Sequence, residues 1–257
     1  MSVWGVAMVR DEADVIGPVL DRMRREVDHL LVADNRSIDG TSEILRATEG
    51  VTVVDDPDPA YAQARKMTAL ARLATHRGAT WIVPFDADEV WRARDGGRIA
   101  DVLAALPDDV LLARAAVFDH VSTGRDAADE DPVARMVWRR PNPKPLPKVA
   151  CRARPGLRIH KGNHHAVHPG AGEPRVAEGR LEVRHFGVRS PEQFVRKAGI
   201  AAEGLAGSDL PEFVSVHRRG WVRDLDAHGA DGLRARFYEE FWVDDPEAAG
   251  LVRDPCP

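Results

Sequence analysis

Short, continuous apolar runs alternate with amphipathic stretches over the first hundred residues. Val3 to Val9, Leu30 to Ala33, Val51 to Val54 and Trp81 to Phe85 are apolar runs with the length and composition of strands buried on both faces. Between them, Asp14 to Val27 repeats apolar residues at Ile16, Leu20, Met23 and Val27. Ala60 to His76 sets Ala64, Met67, Leu70, Ala71 and Ala74 on one stripe. Both patterns have helical spacing. Thr41 to Ala47 reads as a shorter helix, entered through Asp39-Gly40 and stopped by Gly50. Pro18 fits only the first turn of its helix, and Gly78 ends the one before the fourth strand. The alternation predicts an α/β fold with a mostly parallel central sheet and helices on both faces. Pro84 lacks a ladder donor, so the fourth strand is expected to end irregularly.

The pattern is less regular further on. Ile99 to Leu106 reads as a helix, Val110 to Phe118 as a strand, and Ser122 to Asp131 as a polar loop. Arg135 to Arg140, Val149 to Arg154 and Leu181 to Phe186 read as strands. The four prolines of Pro141 to Pro147 exclude helix and interior strand there. His160 to Gly172 is a His- and Gly-rich loop. Ser190-Pro191-Glu192-Gln193 forms a capping box with proline at the first helical position. The helix it opens is expected to reach about residue 205, and the aromatic-rich remainder to be helical.

Composition narrows the classes. With 257 residues, 44% of them apolar, the chain is long enough to bury a core without disulfide or metal staples. A net charge of -5 gives no reason to expect a nucleic-acid partner. Cys151 and Cys256 form no framework, which fits a reducing, cytoplasmic setting. The first apolar run is broken by Arg10-Asp11-Glu12 and suits a strand better than a signal peptide. No run reaches the roughly 20 apolar residues of a spanning helix; peripheral contact with a membrane is left open.

The chemistry is concentrated after the fourth strand. Asp86 and Asp88 are two residues apart at its carboxyl end, where open α/β sheets bind ligands, and both can face one ligand. Paired carboxylates repel each other and repel a diphosphate. A divalent cation removes both repulsions, and oxygen ligation suits Mg²⁺ or Mn²⁺. Taken alone, Asp-x-Asp is equally the mark of an acidic surface turn.

Three segments occur in order. Val9-Arg-Asp-Glu-Ala-Asp-Val-Ile16 resembles the opening strand-to-helix segment of family 2 glycosyltransferases. Val32-Ala-Asp-Asn-Arg-Ser-Ile-Asp-Gly-Thr41 is similar to their D-N-x-S-x-D-G-T turn, and Phe85-Asp-Ala-Asp-Glu89 to their D-x-D-E segment. The resemblance covers residues 3–90 well and 135–205 more loosely. It departs from the family at Asp11, where Asn is common, and at Pro84.

The resemblance implies a GT-A fold, the Rossmann-like fold of nucleotide-diphospho-sugar transferases, as one domain over 1–257. Residues 1–105 would form its nucleotide-sugar-binding half, and 106–257 its acceptor side with C-terminal helices. It also implies transfer of a sugar from a nucleotide donor, a UDP-sugar first, with inversion. Arg10, Asp11 and Glu12 would line the nucleotide pocket and Asp34 would bond the base. Asp86 would meet the ribose or the metal, and Asp88 would ligate the metal. His185 would complete the metal shell. The acceptor, whether small molecule, glycan or peptide, is not specified.

Other candidates carry a bland alternative beside the functional one. Arg65, preferred to Lys66 for phosphate geometry, could reach the donor, as could Lys148 and Arg152; each could equally be a solvated residue. Arg10, Asp11 and Glu12 could simply charge the N-terminus of the first helix, and Asp34 and Asp39 could serve only as turn and cap residues. The four histidines of the His160–His168 loop suggest an acceptor-facing wall more than a zinc site. An inverting transfer needs a general base; Asp119 is the first candidate and His165 the second. Rival functions are a GT-A-like nucleotidyltransferase and a non-catalytic nucleotide-sugar-binding protein. The acidic, glycine-free Val9–Asp14 segment disfavours the first. No G-x-G-x-x-G follows the first strand, which argues against a dinucleotide-binding protein.

Overall fold

The four apolar runs become parallel strands, three of them buried on both faces and the other, Val51–Asp55, half-exposed at the sheet edge. The structure, a computed structural model, describes residues 1–58, 60, 62–170, 172–206 and 216–256. In chain order it begins β1 (Val3–Val9), α1 (Ile16–Glu26), β2 (His29–Asp34), α2 (Thr41–Ala47), β3 (Val51–Asp55) and α3 (Gln63–His76). There follow β4 (Trp81–Pro84), β5 (Glu89–Ala93), α4 (Ile99–Ala104), β6 (Val110–Thr123), α5 (Pro132–Arg135) and β7 (Trp138–Arg139). The rest is β8 (Lys148–Arg152), β9 (Arg158–Ile159), β10 (Ala166–Val167), β11 (Arg175–His185), α6 (Pro191–Ala206), α7 (Val216–Glu240), β12 (Trp242–Val243) and β13 (Val252–Arg253). No helix among the described residues is long and apolar enough to cross a membrane.

The chain forms two compact units. The first comprises residues 1–57, 62–119 and 142–185, so it draws on both sides of residue 105. Its sheet runs β5-β11-β6-β8-β4-β1-β2-β3. The β1–β2, β2–β3, β1–β4 and β6–β11 pairs are parallel, as expected of crossover connections. The strands β8 and β5 enter antiparallel. Only residues 85–88 link β4 to β5, yet these strands stand far apart in the order. The sheet therefore curls, and the start of β5 returns to the end of β4.

On one face, α3 lays Met67, Leu70, Ala71 and Ala74 against Trp4, Val6, Leu31, Ala33 and Ile82. On the other, α1 buries Ile16, Val19, Leu20 and Met23, and the backbone N–H of Trp91 meets the Met23 sulfur. Each Val, Leu, Ile and Met side chain among them stabilises the fold by about 1.5–3 kcal/mol before the cost of ordering it. Pro18 sits in the first turn of α1, as expected.

Pro84 is paired with Val6 in β4, and the N–H of Phe85 donates to the Val6 carbonyl at 3.0 Å. Successive N–H groups alternate sides, so the donor that Pro84 lacks faces away from β1. On that side the β8 pairing covers Trp81 and Ile82, and the proline costs no ladder bond.

Several expectations need correction. The strand predicted over Arg135 to Arg140 is a helical turn followed by the two-residue β7. The Asp131 side chain accepts from the N–H groups of Val133 and Ala134, and Pro132 opens the turn. No element was expected over Glu89–Ala93, which forms a buried strand, β5, because Val90, Trp91 and Ala93 pack in the core. The His-rich loop contains β10, which pairs with β9 just ahead of it.

The second unit comprises residues 58–61, 120–141 and 186–257. There the last residues of β6 pair with β7 and β12. Helices α6 and α7 bury Phe194, Ala198, Leu233 and Phe237, with Trp221, Phe241 and Trp242 packed around them. The predicted cap is present: Ser190 Oγ accepts the Gln193 N–H at 3.1 Å.

Candidate active site

Asp86 leaves the end of β4 and is gripped from three elements. Its Oδ2 accepts from Lys148 Nζ at 2.5 Å. Its Oδ1 accepts from Gln63 Nε2 at 3.3 Å and Asn163 Nδ2 at 3.1 Å. Lys148 is the first residue of β8, and antiparallel pairing with β4 brings it to the β4 carboxyl end. Gln63 opens α3, and its Oε1 accepts the Gly162 N–H at 2.9 Å, tying the 3-10 turn Lys161–Asn163 to the helix. Gly162 takes φ +76° and Asn163 φ +59°, a left-handed pair that glycine and asparagine tolerate best.

Glu89 completes a second set of bonds. Its Oε1 lies 2.9 Å from Lys148 Nζ, and its Oε2 accepts the Asp86 N–H at 3.1 Å. Burial pushes the Glu89 carboxyl up, against the opposing charge of Lys148. For Lys148, burial alone would lower the pKa, but the carboxylates of Asp86 and Glu89 outweigh it and keep the ammonium charged.

Glu89, His185 and Asp119 stand on one rung. The β5–β11 register pairs His185 with Glu89, and the β11–β6 register pairs His185 with Asp119. Residues paired in this way point to the same face. His185 Nδ1 lies 2.5 Å from Asp119 Oδ1, and Lys144 Nζ lies 3.0 Å from the same oxygen. The other ring nitrogen, Nε2, is 3.8 Å from Asp88 Oδ1. Burial would raise the Asp119 pKa, but the hydrogen bond and charge of His185, with the charge of Lys144, bring it down to about 2.

The ends of β1 and β2 are interlaced. Asp34 accepts the Ser37 N–H at 3.1 Å and the Ser42 hydroxyl. Asp11 accepts the Ile38 N–H at 2.7 Å, and Arg10 Nε lies 3.6 Å from its other oxygen. The Glu12 N–H donates to Thr41 Oγ1, and Asp39 accepts from Thr41 and from the Ala13 N–H. Gly40 precedes α2 at φ +96°, a left-handed conformation that glycine adopts without strain. The turn motif thus fixes the Arg10–Asp14 segment, and each aspartate has a structural duty. Lys66 is buried against Asp56 at 2.7 Å, whereas Arg65 is exposed on α3.

The profile of Glycosyl transferase family 2 matches residues 6–153, more than half the chain. The chain belongs to this family. It is a glycosyltransferase with the family's GT-A fold. Similar solved structures include S. aureus TarS 1–349 in complex with UDP-GlcNAc, at 13% identity over 93% of this chain and 73% of that one, TM-score 0.45. The same TarS fragment with UDP has 12% identity over 93% and 74%, TM-score 0.43. Glucosyl-3-phosphoglycerate synthase from Mycobacterium tuberculosis with Mg²⁺ and UDP has 17% identity over 45% and 43%, TM-score 0.33. No curated protein matches the sequence.

Within this glycosyltransferase, several expected roles change. Lys148 and Arg152 were candidates for the donor phosphates. Lys148 is 5% exposed between two carboxylates. Arg152 bonds the carbonyls of Leu106, Pro107 and Val110 and lies over the Trp81 ring. Asp119 was the first candidate base, but a carboxylate ionised down to about pH 2 is a poor proton acceptor. Its geometry suits orienting His185. His165 is exposed, edge-on to His160, while His164 and His168 bond separate carbonyls.

Among the described residues, no group of three His, Cys, Asp or Glu side chains converges as a metal cage. Asp86, expected among the ligands, is engaged by protein donors. Asp88 and His185 still fit a divalent cation. The contact with Asp119 through Nδ1 orients the His185 ring and turns Nε2 toward Asp88, the carboxylate–histidine arrangement of metal sites. Magnesium and manganese commonly take one or two protein ligands and fill the remainder with phosphate oxygens and water. Gln63, Glu89, Lys144 and Asn163 were not foreseen. Glu89 stood in the quoted D-x-D-E segment, and Lys144 lay in a proline-rich stretch that signalled only the absence of regular structure.

Proposed function

We propose that the chain transfers a sugar, with inversion, from a nucleoside diphosphate donor to an acceptor, and that the donor's diphosphate meets a Mn²⁺ or Mg²⁺ ion held by Asp88 and His185. The observation that carries this reading is the convergence of Asp86, Asp88 and Glu89 with His185 and Asp119 at the carboxyl end of β4. Open α/β sheets bind ligands at that place. The carboxyl groups of Asp86, Asp88, Glu89 and Asp119 outnumber the ammonium groups of Lys144 and Lys148 that pair with them. A divalent cation would offset that excess and the charge on a departing diphosphate.

The chain's own residues supply orientation. Asp119 sets the His185 ring, and Lys148 sets Asp86. Arg10, Asp11, Glu12 and Asp34, at the ends of β1 and β2, would form the nucleoside side of the pocket. The motif resemblance favours uracil as the base, and hence a UDP-sugar. Arg65, on the solvent side of α3, is the candidate on that helix to reach donor phosphates.

The test is calorimetry with UDP and Mn²⁺, repeated with EDTA and with Asp88→Ala. The expected result is binding that EDTA abolishes and that the variant lacks while it stays folded. Undiminished binding by Asp88→Ala would contradict the metal assignment.

A further inference from the structure

We propose that Lys148 is a positioning residue, a fixed internal cation that holds Asp86 and Glu89 for the donor site and does not itself touch donor phosphate. The inference rests on the reading of the β4 end as that site. Three observations carry it.

The first is occupancy. The Lys148 ammonium bonds Asp86 at 2.5 Å and Glu89 at 2.9 Å, and the side chain is 5% exposed. A phosphate contact would have to displace one of these carboxylates. Lys144, with 42% of its side chain exposed, is the lysine with access to solvent.

The second is closure. The Asp86 N–H donates to Glu89 Oε2 at 3.1 Å, and the Glu89 N–H to the Asp86 carbonyl at 3.0 Å. Lys148 joins the two side chains, so the acidic turn is a closed ring with the ammonium as its clasp. The other Asp86 oxygen is held by Gln63 and Asn163, which Gly162 links to each other's elements.

The third is register. Lys148 opens β8 opposite Ala115 of β6, and the carbonyl of the preceding Pro147 meets His164 Nδ1 at 2.8 Å. Both sides of the backbone that carries the lysine are tied down, so its Cα is fixed and the ammonium is held by its two carboxylates.

A positioning cation and a phosphate ligand differ in what their loss does. Calorimetry would compare UDP with UMP, in Mn²⁺, for the wild type, Lys148→Met, Asp86→Asn and the double variant. The proposal expects Lys148→Met to weaken UDP and UMP by the same factor, about tenfold or more. It also expects the double variant to be no weaker than the weaker single variant. A loss confined to UDP, or losses that multiply in the double variant, would overturn it.

Lys148→Met leaves the buried Glu89 and the partly exposed Asp86 without their cation; Lys148→Met/Glu89→Gln removes one of those charges and serves as the folded background wherever the single variant does not fold. If wild type binds neither nucleotide, the donor reading fails on its own. Urea unfolding of the same variants then reads the positioning. Losses of stability that simply add would overturn it, and losses that couple would support it.

Discussion

Replacing Asp119 by Asn tests the rung that orients His185. The Asp119 carboxyl falls from 3.8 to about 2, because the His185 bond and the charges of His185 and Lys144 outweigh burial. A folded pKa below the unfolded one favours the folded state wherever the group is ionised. At about 1.4 kcal/mol per pH unit, this drop corresponds to about 2 kcal/mol at pH 7. The contribution is complete above pH ~4 and is lost as pH falls through ~2, leaving about 1 kcal/mol at pH 3. Urea unfolding of wild type and Asp119→Asn should therefore differ by about 2 kcal/mol at pH 7 and by about half that at pH 3. Both chains share every other titrating carboxylate, so the change in the gap reports this group. A gap equal at the two pH values, or absent at pH 7, would refute the assignment of the low pKa to the His185–Lys144 contacts.

Two further variants separate scaffold from site. Arg152→Met removes the guanidinium bonds to the Leu106, Pro107 and Val110 carbonyls. It should cost about 2–3 kcal/mol in urea unfolding, yet leave UDP affinity within about twofold by calorimetry; a large affinity loss would return Arg152 to the donor site. Asp39→Ala frees the N–H groups of Ala13 and Thr41. It should cost about 1–3 kcal/mol and increase protease sensitivity in the Arg10–Asp14 segment, and an unchanged unfolding midpoint would argue against the clamp.

The fold was legible where its signal is local. Strands β1, β2 and β4 are continuous apolar runs because they are buried on both faces, and α1 and α3 announce themselves by stripe and stop. Ser190 and Gln193 marked the start of α6 through their own spacing. Strand β5 was not legible. Glu89 to Ala93 follows two aspartates, and its burial depends on α1 and on a β11 partner that lies some ninety residues further along the chain. The α5 turn carried a readable signal, Asp131-Pro132, overshadowed by the apolar residues after it.

The site divides along the same line. Asp86, Asp88 and Glu89 are neighbours in sequence, so a motif can display them. Lys148, Asp119 and His185 reach them only through strand register, and register is a property of the sheet. A one-residue slip of β11 would turn His185 to the opposite face and leave Asp119 and Glu89 facing no imidazole. The pairings of Leu181 with Ala93 and with Ala115 guard against this slip, because Leu181 and Val183 are buried and would be driven to the other face together with the histidine. The apolar residues of β11 thus hold the rung in place. A substitution such as Val183→Asp should therefore disturb His185 through the register that Val183 helps to hold.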